Sequence, residues 1–510
     1  MKNVKRLILA AAALTIAASS AACGGGGSAD GEATTIRIMN RVDSEVSYED
    51  DNAWVKAVEE AANVKLEIEA PAPSSYTDKL QITMASGNLP DIIYIFTNDN
   101  NYDKWAKDGL LLELDDEISK YPNMTSNISS DMWNSFRAAS TGKIHAVPKP
   151  NKISYWGYVA NKAWLDALGM DAPETKEEFY EFAKAVAARD PDGNGKADTF
   201  AISPSGQTTA GASVWEEFFL LNAFDLLNAE ERLDADGEYK RRQEYDGYYP
   251  YLEFMHKLYE EKLIDPEFFL NKSGESSNKF LQNRIAAFSG HDGGVKALYG
   301  KDSTEKIMSD YEYYPMLKTD SGERTLYVTA PVWGGWAISA DSKVKDEALR
   351  FIDFGNSEEG WRLMNIGVEG IHYNSYNPET KELIRTEEQS AVCRSEFSSY
   401  TCFSVTYNGE PAYISLCDTT EKLQKYNKEL DNYLANTTIE SIPGVVATKL
   451  IQLKANDPDM FTKMDQMEIQ YITGEISMEE LKDYVDNTYL PKTQEAYAEK
   501  AELIKAASGK

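Results

Sequence analysis

The run Asp190-Pro191-Asp192-Gly193-Asn194-Gly195-Lys196-Ala197-Asp198 places carboxylate or amide oxygens at positions one, three, five and nine of a loop. Glycine stands at position six, and the backbone carbonyl of Lys196 is available at seven. Hard oxygen donors at that spacing wrap a calcium ion, and the glycine supplies the sharp turn. The pattern departs at position twelve, where Ala201 replaces a bidentate glutamate, and Thr199 brings no carboxylate. The expected ligand set is Asp190, Asp192, Asn194, Lys196 and Asp198 around a structural calcium. The other reading of these residues is an acidic Asn-Gly turn that holds no ion.

A second chemistry is offered by Ala330-Pro331-Val332-Trp333-Gly334-Gly335-Trp336-Ala337-Ile338-Ser339. Two indoles flank a glycine pair, and the apolar run that follows is too short for a helix, so the stretch reads as a strand entered through a bend. Broad aromatic faces with one N–H donor suit the apolar C–H face of a sugar ring. The same rings would equally fill a core beside a tight turn. Trp215, with Phe218 and Phe219, reads mainly as helix core, with Trp215 the member able to face a cleft.

Signatures of catalysis are missing. The sequence contains no H-E-x-x-H, G-x-S-x-G or phosphate-cradling G-x-x-x-x-G-K-[ST] element, and no G-x-G-x-x-G after a strand. His145, His256, His291 and His372 show no metal spacing. A glycosidase needs only two suitably separated carboxylates, and 83 acidic residues single out no pair. The missing motifs weaken an enzyme reading without excluding it.

The elements that hold these residues need more than one core, because 510 residues exceed what a single core organises. Hydrophobic residues make up 42% and aromatic residues 11%, which describes packed globular structure. A formal charge of -31 argues against nucleic acid and anionic membrane surfaces as bulk partners.

Lys2, Lys5 and Arg6 precede an alanine-rich apolar run from Leu7 to Ala18 and the small residues up to Ala22. The run is too short for a spanning helix and reads as a targeting segment. Its end, Ser20-Ala21-Ala22-Cys23, resembles the bacterial lipoprotein processing signal, with Ser20 where a leucine is usual, which implies lipidation of Cys23. Gly24 to Ser28 then form a flexible tether. A plainly secreted product is the alternative. Cys393, Cys402 and Cys417 remain, an odd number that allows at most one internal disulfide.

From Thr34 the periodicities predict strand, helix, strand, helix, strand. Asp50 or Asp51 is placed to cap a helix whose Trp54, Val55, Val58, Ala61 and Ala62 share a face. Val64, Leu66 and Ile68 alternate with charged residues, and Asp91 to Phe96 is a continuous apolar strand of the kind buried in a parallel sheet. Ligands of open parallel sheets sit beyond the carboxyl ends of strands. That rule points to Asn40, Arg41 and Asp43 after the first strand and to Asn98 and Asp99 after the third. By the same rule His291 and Asp292 follow the strand Ile285 to Phe288. Thr175 with Glu178, and Ser477 with Glu480, form capping boxes.

The order of Ala85-Ser86-Gly87-Asn88-Leu89-Pro90-Asp91-Ile92, Asp108-Gly109-Leu110-Leu111-Leu112-Glu113-Leu114, Gly142-Lys143-Ile144-His145-Ala146-Val147-Pro148 and Asn161-Lys162-Ala163-Trp164-Leu165-Asp166-Ala167-Leu168-Gly169 resembles extracellular solute-binding proteins of ABC importers. The similarity resumes at Trp336 to Ser339 and at Gly367 to Tyr373. It is nearest to the carbohydrate-binding group that includes the maltose-binding and alginate-oligosaccharide-binding proteins. The resemblance implies an α/β fold of the two-lobed, periplasmic-binding-protein-like type II, with mixed sheets flanked by helices and a hinge cleft. Carried onto this chain, residues 1–22 are the signal peptide and 23–33 the tether. Lobe one takes 34–150 plus 330–380, and lobe two takes 151–329 plus 381–510.

The resemblance further implies an oligosaccharide in the cleft, a transmembrane permease as partner, a monomer, and a lipid-anchored place outside the cytoplasm. Related loops in alginate-binding relatives resemble the Asp190 loop and hold calcium. Trp156, Trp333, Trp336 and Trp215 would then cover sugar faces. Asn40, Arg41, Asp43, Asn98, Asp99, His291 and Asp292 would meet hydroxyls. A surface-attached carbohydrate hydrolase and a sensor or adhesion protein on the same fold are the alternatives.

Overall fold

The computed structural model describes residues 33–41, 52–71, 75–96, 101–138, 140–151, 153–196, 198–204, 208–209, 212–213, 218–271, 275–291, 298, 304–329, 332–380, 382–396, 403–404 and 419–509. Cys23, Asp43, Asn98, Asp99, Trp215 and Asp292 lie outside the described residues, as do the side chains of His291 and Trp333.

The first core grows from the alternation seen in the sequence. Strand β1 (Thr34–Met39) pairs in parallel with β2 (Val64–Glu69) and with β3 (Ile92–Phe96). Between β1 and β2 lies helix α1 (Ala53–Ala62), which buries Trp54, Val55 and Val58. Its cap is Asn52, whose side chain accepts from the Val55 N–H, one residue beyond the aspartates expected there. Helix α2 (Tyr76–Ser86) ends at Gly87, whose φ of 72° is the left-handed conformation that glycine adopts without strain.

Strand β4 (Ala146–Pro150) completes this sheet only with help from a distant segment. After β5 (Trp156–Asn161), α3 (Lys176–Arg189), β6 (Ala287–His291), β7 (Tyr311–Pro315) and β8 (Thr325–Val328), the chain returns as β9 (Val332–Ile338). β9 runs antiparallel between β3 and β4, which gives the order β2-β1-β3-β9-β4. The second core surrounds the antiparallel sheet β6-β5-β7. Helices α4 (Thr420–Ala435), α5 (Pro458–Ile472) and α6 (Leu490–Ala507) pack into this second core, and β10 (Thr438–Ser441) pairs in parallel with β8.

Both expected capping boxes form: Thr175 with Glu178 at α3, and Ser477 with Glu480. The chain is thus mixed α/β and type II in fold. One boundary differs from expectation. Cys393 and Phe403 pack in the first core, with the Phe403 ring 5.1 Å from Trp336 and 4.9 Å from Phe351, so the segment after residue 380 does not pass directly to the second core. The reason is apolar: Phe403 fills the space over Gly355, where a side chain could not fit.

Candidate functional site

The paired registers bring three strand ends to one edge of the first sheet. Ile38 of β1 lies beside Ile92, Phe96 of β3 beside Gly334, and Pro150 of β4 beside Val332. The carboxyl ends of β3 and β4 therefore share this edge with the start of β9, while β1 runs in the same direction as β3 and ends earlier, Met39 lying beside Ile93. In chain order β4 is followed by β5 of the second sheet, and β8 is followed by β9 of the first.

On the second sheet, the corresponding edge is the start of β5. Trp156 opens β5 opposite His291, the last residue of β6, and Gly157 stands opposite Pro315, the last of β7. The Trp156 indole is half-buried and stacks on Phe218 with ring centres 4.0 Å apart and planes inclined by 23°. Tyrosines fasten the connection just ahead of it. The Tyr433 hydroxyl donates to the Trp156 carbonyl at 2.8 Å, and the Tyr313 hydroxyl donates to the Tyr155 carbonyl.

At the first edge Arg41 holds its guanidinium 5.5 Å from the centre of the Phe96 ring. Asn40 is buried, at 2% exposure, and its N–H donates to the Glu69 carbonyl at 2.9 Å, so its backbone prolongs the β1–β2 ladder.

Trp336 requires a correction. It was expected to cover a ligand, yet its ring is fully buried, edge-on to Tyr94 and Phe403 at 5.1 Å each. A strand between two neighbours in a covered sheet buries both of its faces, so the tryptophan fills the core. The glycine pair has the same explanation. A side chain at Gly334 would overlap Tyr94, and one at Gly335 would overlap Phe136 and the Val147 carbonyl, so the close approach is made by the protein itself.

Charges at the site edge are arranged around α4. Glu429 is 5% exposed and accepts from the Tyr313 N–H of the edge strand β7 at 3.3 Å. Burial pushes its carboxyl up to about 7, against the pull of Lys425 at 3.2 Å and with Glu312 adding to the rise. It covers a strand edge that would otherwise present an unpaired donor.

The acidic loop hangs from the end of α3, away from these edges. Asp190 caps the helix with φ 48°. The Gly195 N–H donates to Asp190 Oδ2 at 2.7 Å, the Asn194 N–H to Asp192 Oδ1 at 3.2 Å, and the Lys196 N–H to Asn194 Oδ1 at 2.8 Å. Among the described residues Asp190 Oδ1 is buried without a hydrogen-bond partner, and burial followed by the adjacent Asp190 carboxylate pushes the Asp192 carboxyl up. Crowded carboxylates with a spare buried oxygen fit a cation. Against this, no three His, Cys, Asp or Glu side chains among the described residues stand close enough to hold a metal ion. Instead Asn194 Nδ2 bridges Asp192 at 2.7 Å and Asp198 at 3.1 Å.

Sequence reasoning missed the role of Phe218. Its signal was the spacing from Trp215, one helical turn, which was read as core. The residue that enters the core is Phe219, fully buried, while Phe218 turns to Trp156.

The sequence profile of bacterial extracellular solute-binding proteins matches residues 45–360. Lipoprotein LipO of Bacillus subtilis is 27% identical over 419 residues, 79% of this chain and 79% of its own length. The polygalacturonan/rhamnogalacturonan-binding protein YtcQ of the same organism is 26% identical over 412 residues, 78% of this chain and 79% of its own. Among solved structures, the Streptococcus pneumoniae ABC-transporter substrate-binding protein FusA, as an EF-hand mutant in complex with fructo-nystose, superposes with a TM-score of 0.68 at 18% identity. That superposition covers 93% of this chain and all of FusA's.

Proposed function

The chain belongs to the bacterial extracellular solute-binding protein family, and from that premise we propose that it binds an oligosaccharide between two lobes and delivers it to the permease of an ABC transporter. The observation behind this reading is the pair of strand edges that the chain links in order from β4 to β5 and from β8 to β9, with half-buried Trp156 at the first position of β5. An aromatic face there meets the apolar side of a sugar ring, and Phe218 behind it fixes the ring's orientation before ligand arrives. Trp333 and Trp215 are further platforms in this reading. Arg41, Asn40, Asp43, Asn98, Asp99, His291 and Asp292 bond hydroxyls. The names of YtcQ and FusA support a saccharide ligand, since both are described as binding one.

The two cores act as lobes, and ligand favours the closed arrangement because it touches both. Lipidation of Cys23 tethers the monomeric receptor to the outer face of the membrane, a reading supported by the lipoprotein name of LipO. The Asp190 loop takes calcium as a structural ion, with Asp190, Asp192, Asn194, the Lys196 carbonyl and Asp198 turned inward. FusA's EF-hand supports the same reading.

The test is a thermal-unfolding screen of the protein against neutral and acidic oligosaccharides, with peptides as controls. A ligand at 100 times its dissociation constant adds about 2.7 kcal/mol to stability. Stabilisation by one saccharide class supports the receptor. Stabilisation by peptides alone would remove the sugar and leave the fold.

A further inference from the structure

A tyrosine near the end of α4 holds the peptide that carries the platform ring. The Tyr433 hydroxyl donates to the Trp156 carbonyl at 2.8 Å, and its fully buried ring lies 5.5 Å from that of Tyr155 and 5.9 Å from that of Tyr313. We propose that Tyr433 is a positioning residue for ligand binding, which aims the Trp156 indole from a helix anchored at its other end to residues that pack on the first core. The proposal rests on the receptor reading and names what sets the direction of its platform.

The need for such a group comes from Gly157. A side chain there would overlap the Tyr313 hydroxyl and the Tyr314 carbonyl, so glycine is what lets Tyr313 pass over the strand and donate to the Tyr155 carbonyl. The same glycine leaves the peptide between Trp156 and Gly157 freer to turn than any other residue would. Two tyrosine hydroxyls on consecutive carbonyls remove that freedom. The direction of the indole is then fixed with the backbone that bears it.

Helix α4 reaches toward both cores. At its start the Arg385 N–H donates to Thr420 Oγ1 at 2.9 Å and the Thr420 N–H returns to the Arg385 carbonyl at 3.3 Å. The Arg385 guanidinium in turn donates to the carbonyls of Ile366 and His372 at 2.8 Å each. Leu423 packs with Trp361, Ile366, Tyr373 and Leu383. Trp361 belongs to the helix Glu358–Asn365, whose Met364 lies in the first core and whose Leu363 carbonyl accepts from the Trp54 indole N–H at 3.0 Å. Further along, Tyr426, Leu430 and Tyr433 enter the second core, and Glu429 takes the Tyr313 N–H one turn before Tyr433.

Beyond α4 the grip continues. Strand β10 lies parallel to β8, with the Thr438 N–H on the Arg324 carbonyl at 2.9 Å and the Ile442 N–H on the Val328 carbonyl at 2.8 Å. Val328 is the last residue of β8, after which β9 of the first sheet follows in the chain. One stretch, residues 420–442, therefore holds both the first residue of β5 and the last of β8. A packed helix moves as a body, so the hydroxyl on Trp156 follows the residues around Leu423.

The experiment titrates the parent with nystose, maltotetraose and tetragalacturonate by calorimetry and carries the tightest of the three through the variants. Tyr433→Phe keeps the ring, removes only the donor and should weaken binding roughly three- to tenfold. Tyr313→Phe, which releases the adjacent carbonyl, should act in the same direction and serves where the first variant does not fold. Tyr245→Phe removes a comparable buried bond of the second core, to the Ala229 carbonyl at 3.1 Å, and should bind as the parent does. Added to Trp156→Ala, Tyr433→Phe should bring no further loss, because it acts through the indole. Parent-like binding by both tyrosine variants, or the same fold loss with and without Trp156, would overturn the positioning role and leave the receptor standing. If none of the three saccharides binds, the receptor reading falls, and the positioning role falls with it.

Discussion

The indole of Trp156 stacks on the ring of Phe218 with centres 4.0 Å apart and planes inclined by 23°, at the first residue of the strand that enters the second core. One face of the indole is covered by Phe218. Trp156→Ala is expected to weaken saccharide binding by about 2 kcal/mol, roughly thirtyfold. Calorimetric titration measures it, and an unchanged dissociation constant would remove Trp156 from the site.

Trp336 is expected to behave in the opposite way. Trp336→Ala empties a fully buried site between Tyr94 and Phe403 and lowers stability by about 3 to 5 kcal/mol. The variant that still folds should bind ligand as the parent does. Urea unfolding together with titration separates the two effects.

Glu429 gives stability a pH dependence. Its folded carboxyl, near 7, lies above the ordinary 4.5, so the folded state holds a proton that the unfolded state has released between those values. Stability from this group is therefore fully present below pH 4.5 and is lost as pH rises through 7, above which it is level. Glu429→Gln keeps an acceptor for the Tyr313 N–H and removes the charge. It should be more stable than the parent at pH 8, on the order of 1 to 3 kcal/mol, and show no advantage at pH 4.5. A parent and variant with parallel stability profiles across pH 4.5 to 8 would refute this.

Calcium is expected to raise the unfolding temperature, and chelation to lower it. Asp192→Asn should abolish the difference while leaving the unfolding temperature in chelator close to the parent's. Because Asp192 already holds its proton more firmly than a free aspartate, the calcium effect should weaken as the solution is made acid. Equal unfolding temperatures with calcium and with chelator would leave the loop as an acidic turn.

Lipidation is checked in cells. Cys23→Ser should move the protein from the membrane fraction to the medium and stop incorporation of labelled palmitate. Retention of the variant on the membrane would show that another element anchors it.

Much of the first sheet was legible because its strands obey local rules. Val64, Leu66 and Ile68 alternate with Lys65, Glu67 and Glu69, and the structure buries the first set more than the second. The capping boxes were legible for the same reason, since Thr175 and Glu178 meet within one turn. Trp336 was not. Its environment is made by Tyr94, more than two hundred residues earlier, and by Phe403 later in the chain, and no local pattern distinguishes a ring facing a cleft from one facing those partners. Phe218 failed for a related reason. Helical spacing says which residues share a face, and only tertiary packing says what that face meets.

The burial of the tryptophans has an optical consequence. Trp54, Trp105, Trp133, Trp164, Trp336 and Trp361 are each less than a tenth exposed, so their emission is set by the cores and forms a constant background. Trp156 sits half-buried at the strand edge, where an arriving sugar would change its surroundings. The protein therefore carries its own dye, and a ligand-dependent change in fluorescence that is diminished in Trp156→Phe would report occupancy without any label.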